Sequence, residues 1–149
     1  MSYTSAKQRP SFTFDANLQM KDAGLVAASA QAQVAGADKI VNVGSGRYNG
    51  KLVIDATAIE VDSSNELYSI EVQGSTSATF ASGIVVLAER QLGHSSTTGS
   101  SASDVAGRYT LDFSNVDVDG ARLPYLRVYT RVAGTIATGI NYAAWITKR

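Results

Sequence analysis

The chain has no cysteine and only one histidine among its 149 residues. The absence of cysteine excludes disulfide bonds, thiolate zinc sites and cysteine nucleophiles. One histidine without thiolates cannot assemble a usual zinc or copper site. His94 lies in a Ser/Thr/Gly-rich stretch with no carboxylate nearby in sequence and no G-x-S-x-G motif. We therefore predict that the protein is not an enzyme and holds no cofactor.

Long apolar runs are also missing. None approaches the ~20 residues that cross a bilayer, and residues 1–10 lack the apolar core of a signal peptide. The 13 basic and 13 acidic residues give a formal net charge of zero, which disfavours a protein that binds nucleic acid by neutralising phosphates. We expect a soluble protein of the cytoplasm that is not exported through a signal peptide and binds neither membrane nor nucleic acid directly.

The charges are unevenly distributed along the chain. Residues 55–71 carry five acids, whereas every charged side chain in residues 120–149 is basic. This polarity suits contacts between copies or with a charged partner, and it suits a mixed solvated surface equally well.

Alternation of apolar and polar residues dominates what the sequence does contain. A period of two, interrupted by Gly, Asn or Ser clusters, indicates half-buried strands joined by turns. The change of face from Ala58 to Ile59 predicts a β-bulge, and Asp119-Gly120 predicts a hairpin between the flanking strands. The strands predicted in this way cover residues 25–34, 40–43, 51–61, 68–73, 84–92, 108–113, 123–132 and 140–147.

Eight or nine short strands without a long helical period predict an all-β fold. We expect an antiparallel β-sandwich, a jelly roll, with an extended N-terminal arm. The length fits one domain, so we assign residues 1–15 to the arm and 16–149 to a single jelly-roll domain. Residues 75–80 could add one helical turn, and 94–107 should form a long, exposed loop.

Three patterns resemble chemical sites but have simpler explanations. Asn115, Asp117 and Asp119 follow the spacing of an EF-hand loop, yet position 12 is Leu126 and the flanks are strands, which favours a turn over calcium. The glycines of residues 44–50 lack the G-x-G-x-x-G spacing and a following helix, which favours a turn over a phosphate site. Nothing favours glycoside chemistry by the acids of residues 55–71.

The strand at 122–132 carries a candidate partner-binding surface. Its core face is apolar, and its other face is a ladder of tyrosine and arginine, residue types that are enriched at protein interfaces. Such pairs also stabilise an ordinary exposed sheet by about 0.2 to 1 kcal/mol each. The N-terminal arm adds basic and aromatic anchors. The candidate partner-binding residues are Lys7, Arg9, Phe12, Phe14, Tyr125, Arg127, Tyr129 and Arg131.

Five segments resemble the jelly-roll cement, or decoration, proteins on the heads of short-tailed bacteriophages: residues 14–24, 38–44, 68–80, 107–113 and 125–135. The resemblance implies a structural virion protein on the outer capsid surface, made in the host bacterial cytoplasm. Its implied partners are a major capsid protein of HK97-like fold and further copies of itself, as a homodimer or a trimer. The alternative is a glycan-binding module of a phage tail or surface structure, which should present aromatic platforms at a loop end.

Overall fold

The computed structural model describes residues 14–148. Lys7, Arg9 and Phe12 lie outside the described residues, as does most of the segment assigned to the N-terminal arm.

The described residues form twelve strands, one 3-10 turn (Ala16–Leu18) and one short helix, α1 (Ser95–Thr98). The strands are β1 (Gln19–Lys21), β2 (Leu25–Val26), β3 (Ala30–Gln31), β4 (Gln33–Val34), β5 (Ala37–Asp38), β6 (Val41–Asn42), β7 (Asn49–Ile59), β8 (Leu67–Ser75), β9 (Val85–Gly93), β10 (Gly107–Ser114), β11 (Tyr125–Ala133) and β12 (Ile140–Lys148).

Ten of these strands form two five-stranded antiparallel sheets. Sheet A has the order β1-β12-β7-β10, and β2 also pairs with β12. Sheet B has the order β3-β11-β8-β9, and β6 also pairs with β11. The two remaining strands, β4 and β5, form a separate hairpin. The prediction of an antiparallel all-β sandwich is confirmed.

The strand pairs are nested along the chain. The innermost pair is β8 with β9, followed outward by β7 with β10, then β3 and β6 with β11, and finally β1 and β2 with β12. The first half of the chain therefore pairs with the second half in reverse order. Strands close in sequence often lie in different sheets as a result.

The core lies between the two sheets and follows the predicted alternation. Leu52 and Ile54 of β7 face Ile70 and Val72 of β8, and all four are fully buried. Removing this apolar surface from water supplies roughly 25 cal/mol per Å². The period of two was therefore a reliable guide to which side chains of the long strands enter the core.

The strand predicted over residues 25–34 is wrong in its continuity. It is three two-residue strands: β2 pairs with β12 in sheet A, β3 pairs with β11 in sheet B, and β4 pairs with β5. A turn with positive φ at Ala35 and Gly36 closes the β4–β5 hairpin. The alternation in this alanine-rich segment did not indicate one strand, because small side chains pack equally poorly on either face of a sheet. The segment instead crosses from one sheet to the other.

The hairpin predicted at Asp119-Gly120 is only a local turn. Val116 and Arg122 form an isolated bridge, and Gly120 N donates to Asp117 O at 3.0 Å. The long strands on either side then separate, because β10 pairs with β7 in sheet A while β11 pairs with β8 in sheet B. The turn carries the chain from one sheet to the other.

Three further local features differ in detail from expectation. The bulge in β7 falls at Thr57, because Ala56 pairs with Tyr142 and Ala58 with Asn141. Residues 75–80 form a turn without a helix, in which Phe80 has a φ of 55°. The only α-helix of the described residues, α1, lies instead in the segment predicted as a long, exposed loop.

Candidate interaction surface

The predicted Tyr/Arg ladder lies on the outer face of sheet B. The side chains of β11 alternate, so that Leu126 and Val128 are fully buried in the core while the ladder residues point outward. On the neighbouring strand, Gln73 is opposite Arg127 and Glu71 is opposite Tyr129. We call this surface the Tyr/Arg face; its members are Glu71, Gln73, Phe80, Tyr125, Arg127, Tyr129 and Arg131.

Arg127 is the centre of contacts within the Tyr/Arg face. Its Nε donates to Gln73 Oε1 at 2.8 Å, and its Nη1 donates to Gln31 Oε1 at 2.8 Å. Its guanidinium carbon lies 4.5 Å from the ring centroid of Phe80 and 5.3 Å from that of Tyr129. Burial lowers the pKa of Arg127, which nonetheless stays charged. The residue mainly holds the face together.

Arg131 is attached to the same face but remains open to solvent. Its Nε donates to Glu71 Oε1 at 2.6 Å, and its guanidinium lies 5.3 Å from the Tyr129 ring centroid. The Arg131 side chain is 59% exposed, whereas that of Glu71 is only 5% exposed. Gln73 Nε2 donates to the other oxygen of Glu71 at 2.6 Å. The buried carboxylate therefore fixes an exposed cation.

Sequence reasoning missed the residues that organise this face. The alternation of β8 places Glu71 and Gln73 on the outer side, so their orientation was readable from the sequence. Their surroundings were not, because Gln31 and Arg127 come from distant parts of the chain and meet only through the pairing of β3, β8 and β11.

Phe14 lies on the other side of the molecule, so the structure does not join it to the Tyr/Arg face. Its ring meets Trp145 edge to face, with centroids 5.8 Å apart. Arg108 also covers Trp145, at 5.0 Å from the indole centroid, while its Nε and Nη2 donate to both oxygens of Asp55. Trp145 pairs with Val53 in sheet A, and both are buried outside the main core.

The acids of residues 55–71 are largely used inside the molecule. Glu60 accepts hydrogen bonds from the backbone N–H groups of Ala137, Thr138 and Gly139 at 2.6 to 3.1 Å. These bonds, the one from Gly139 first, lower the pKa of Glu60 although burial raises it. Glu66 accepts from Ser63 N and Asn65 N in the next loop. The cluster of acids in the sequence thus mostly reflects contacts within the molecule.

The patterns that resembled chemical sites have structural roles. Asn115 is fully buried and bonds to Tyr48 N, Gly46 O and Leu123 O, so it is not available to a cation. His94 Nδ1 accepts from Ser96 N and caps α1. Within residues 14–148, no group of three or more His, Cys, Asp or Glu side chains is arranged to hold a metal ion.

A cleft of about 460 Å³ opens beside β1 and β2, and half of the residues that line it are alanine or glycine. Lys21 lies at this cleft and is 7% exposed. Its Nζ donates to the carbonyl oxygens of Asp22, Gly24 and Tyr142 at 2.8 to 3.1 Å. Burial lowers the pKa of Lys21 to about 8, against the opposing effect of the Asp22 charge. All three donors are occupied, so Lys21 ties β1 to β12.

Comparison with known proteins adds no relative: neither a scan of family models nor a search of curated protein sequences found a match. The helical segments of the described chain are too short to cross a membrane. The fold and surface therefore define the class as an antiparallel all-β protein with a preorganised Tyr/Arg face.

Proposed function

We propose that this chain is a capsid cement protein, a structural virion component that binds the outer surface of a phage head. Its partners in this proposal are major capsid proteins of HK97-like fold, whose mutual contacts it stabilises. The observation that carries the proposal is the Tyr/Arg face, where the buried carboxylate of Glu71 holds the exposed Arg131 beside two half-buried tyrosines. The resemblance of five sequence segments to cement proteins supports it.

We also infer that the sandwich is a jelly roll. In that topology a long antiparallel ribbon folds on itself, so that its first strand pairs with its last and its middle strands pair with each other. The nesting of β8–β9, β7–β10, β3–β11 and β1–β12 is consistent with such a ribbon. This topology brings β11 to an inner position of sheet B, where it presents the Tyr/Arg face on a supported strand.

A rigid outer face suits a protein that binds many equivalent positions. Association costs free energy for each flexible side chain that becomes ordered, by about 0.5 to 1.5 kcal/mol. Arg127 and Tyr129 already contact each other in the free chain, which reduces that cost. Modest affinity per subunit is sufficient on a shell, because each attached copy can bridge neighbouring capsid proteins.

Trp145 does not supply the exposed aromatic platform that the glycan-binding alternative requires. A carbohydrate platform needs an exposed aromatic ring, and Trp145 is covered by Phe14 and Arg108. It lies within β12 and is 8% exposed.

The direct test is attachment to heads. Purified heads assembled from the major capsid protein of the same genome would be mixed with the full chain and sedimented. We expect saturable co-sedimentation and a higher temperature of shell disruption. Arg131→Gln should reduce attachment, because it removes the exposed cation of the Tyr/Arg face.

The matched control is Arg108→Gln, which removes an arginine paired with an acid on the outer face of the opposite sheet. It should leave attachment unchanged if the Tyr/Arg face is the one that meets the shell. Absence of any wild-type binding to heads would refute the function, and equal effects of the two substitutions would refute the choice of face.

A further inference from the structure

We propose that Arg131 is the partner-recognition residue of the Tyr/Arg face, and that its free guanidinium edge receives one carboxylate side chain of a protein partner. The inference deepens the proposed function and rests on it for the identity of that partner as a capsid protein.

The hydrogen bonds of the three arginines on the outer faces distinguish Arg131 from the others. Arg108 already binds both oxygens of Asp55 through Nε and Nη2. Arg127 uses Nε and Nη1 for two glutamine oxygens. Arg131 donates only through Nε, and neither Nη1 nor Nη2 donates a hydrogen bond within residues 14–148. It therefore keeps the pair of parallel donors that a carboxylate binds in bidentate fashion.

The open edge is also held in a fixed direction. Glu71 is 4% exposed and is bonded by Gln73, so the oxygen that accepts from Arg131 Nε cannot easily move. The ring of Tyr129 lies beside the same guanidinium. These contacts restrict the long Arg131 side chain before a partner arrives, so little conformational entropy remains to be lost on binding.

The surrounding charges favour a single carboxylate over a phosphate polymer. Glu89 of β9 lies directly opposite Glu71 and shares the outer face of sheet B. A polymer with one negative charge per phosphate would bring several of them near Glu71 and Glu89, whereas one carboxylate needs only Arg131. The rings of Tyr125 and Tyr129 offer contact to the carbon atoms around a protein side chain.

The first test uses sodium acetate as the probe and the full chain as it is. Acetate is titrated while the side-chain Nε–H and Nη–H signals of the arginines are followed by NMR, with sodium chloride at matched ionic strength as reference. We expect saturable shifts at Arg131 and much smaller ones at Arg108 and Arg127. Equal shifts at all three, or none at Arg131, would overturn the assignment. Stronger shifts with inorganic phosphate at matched charge would overturn the carboxylate and indicate a phosphate-bearing ligand.

The second test uses Arg131→Lys on heads. Lysine keeps the charge and a donor for Glu71, so the face stays intact, but it lacks the parallel donor pair. We expect attachment to weaken about tenfold or more. Wild-type binding with unchanged Arg131→Lys binding would overturn this inference and leave the function standing. Failure of wild type to bind heads, with Arg131 still responding to acetate, would refute the function alone.

Discussion

At the scale of single residues, a hydrogen bond between Tyr142 and Thr130 joins the two sheets. Tyr142 is fully buried on β12, and its hydroxyl lies 2.5 Å from Thr130 Oγ1 on β11. Burial raises the pKa of Tyr142, so the phenol stays protonated. A buried hydroxyl that loses its partner keeps the cost of its desolvation, so breaking this pair costs more than the net contribution of the hydrogen bond.

Tyr142→Phe should therefore lower the free energy of unfolding by about 1 to 2 kcal/mol, because it leaves Thr130 Oγ1 without this partner. Urea denaturation measures the change. Adding Thr130→Val should cost less than the sum of the two single substitutions, because it removes the orphaned hydroxyl. Strict additivity in this double-mutant cycle would contradict the bond.

The hydrogen-bonded carboxylate of Glu60 should make the stability of the fold depend on pH. Its folded-state pKa is lowered from the ordinary value of 4.5 by the backbone N–H groups of residues 137–139. Its carboxylate therefore stabilises the fold above pH 4.5, and this contribution is lost as pH falls through the lower, folded-state pKa. Glu60→Gln should lower the Tm at pH 7 by a few degrees, with a smaller difference from wild type at acid pH.

Thermal unfolding of both proteins between pH 3 and 7 tests this prediction. Asp62→Asn, at an exposed acid of the same loop, is the matched control and should run parallel to wild type. A Glu60→Gln variant that kept the full acid dependence of wild type would exclude Glu60 as its source.

At the scale of elements, the long strands were predictable from sequence and the connections were not. The alternation in β7, β8, β10, β11 and β12 is strong because each has one face in the core. Residues 25–34 also alternate, but that signal is misleading: the strands there are two residues long, and their alanines bury little surface wherever they point. The switch of sheet at Asp119-Gly120 depends on pairing with β7 and β8, which local turn chemistry does not encode.

The same limit applied to the candidate surface. The shared face of Tyr125, Arg127, Tyr129 and Arg131 follows from a period of two. The different roles of Arg127 and Arg131 do not follow from this period, because they depend on side chains that other segments of the chain supply.

Gly139 determines how β2 approaches β12. Its φ is +95°, and a Cβ there would overlap the carbonyl oxygen of Val26. Gly139→Ala should therefore cost about 3 kcal/mol or more of stability, because it separates two paired strands as well as straining the backbone. Gly44→Ala is the matched control, with a φ of +83° and open space around the Cβ, and should cost about 1 kcal/mol. If both variants lost the same free energy of unfolding in chemical denaturation, the whole effect would come from the positive φ and none from the overlap with Val26.

At the scale of the whole molecule, the two outer faces differ in how they are covered. On sheet A, Phe14 and Arg108 lie over Trp145. On sheet B, the guanidinium of Arg131 remains open to solvent. The start of the described chain thus covers Trp145 on sheet A, whereas Arg131 on sheet B keeps 59% of its side chain exposed.

The arm residues extend the attachment hypothesis beyond the described residues. The double variant Lys7→Glu with Arg9→Glu should weaken co-sedimentation with heads several-fold, if these cations meet a partner surface. Fluorescence of Trp145, the only tryptophan, checks that the fold is intact. Unchanged head occupancy with normal fluorescence would remove both residues from the candidate site.

The nested pairing has a consequence for the order in which the protein can form during its synthesis. β12 lies between β1 and β7 in sheet A, yet it leaves the ribosome after every other described strand. Translation from the end of β7 to the end of β12, roughly 90 residues, takes about 4 to 18 s at ordinary elongation rates. During that time β7 lacks β12, and until β10 has emerged it lacks both of its neighbours in the sheet. Sheet A is therefore completed only when β12 has been translated, and an incomplete nascent chain exposes the unpaired edges of β7 to other chains.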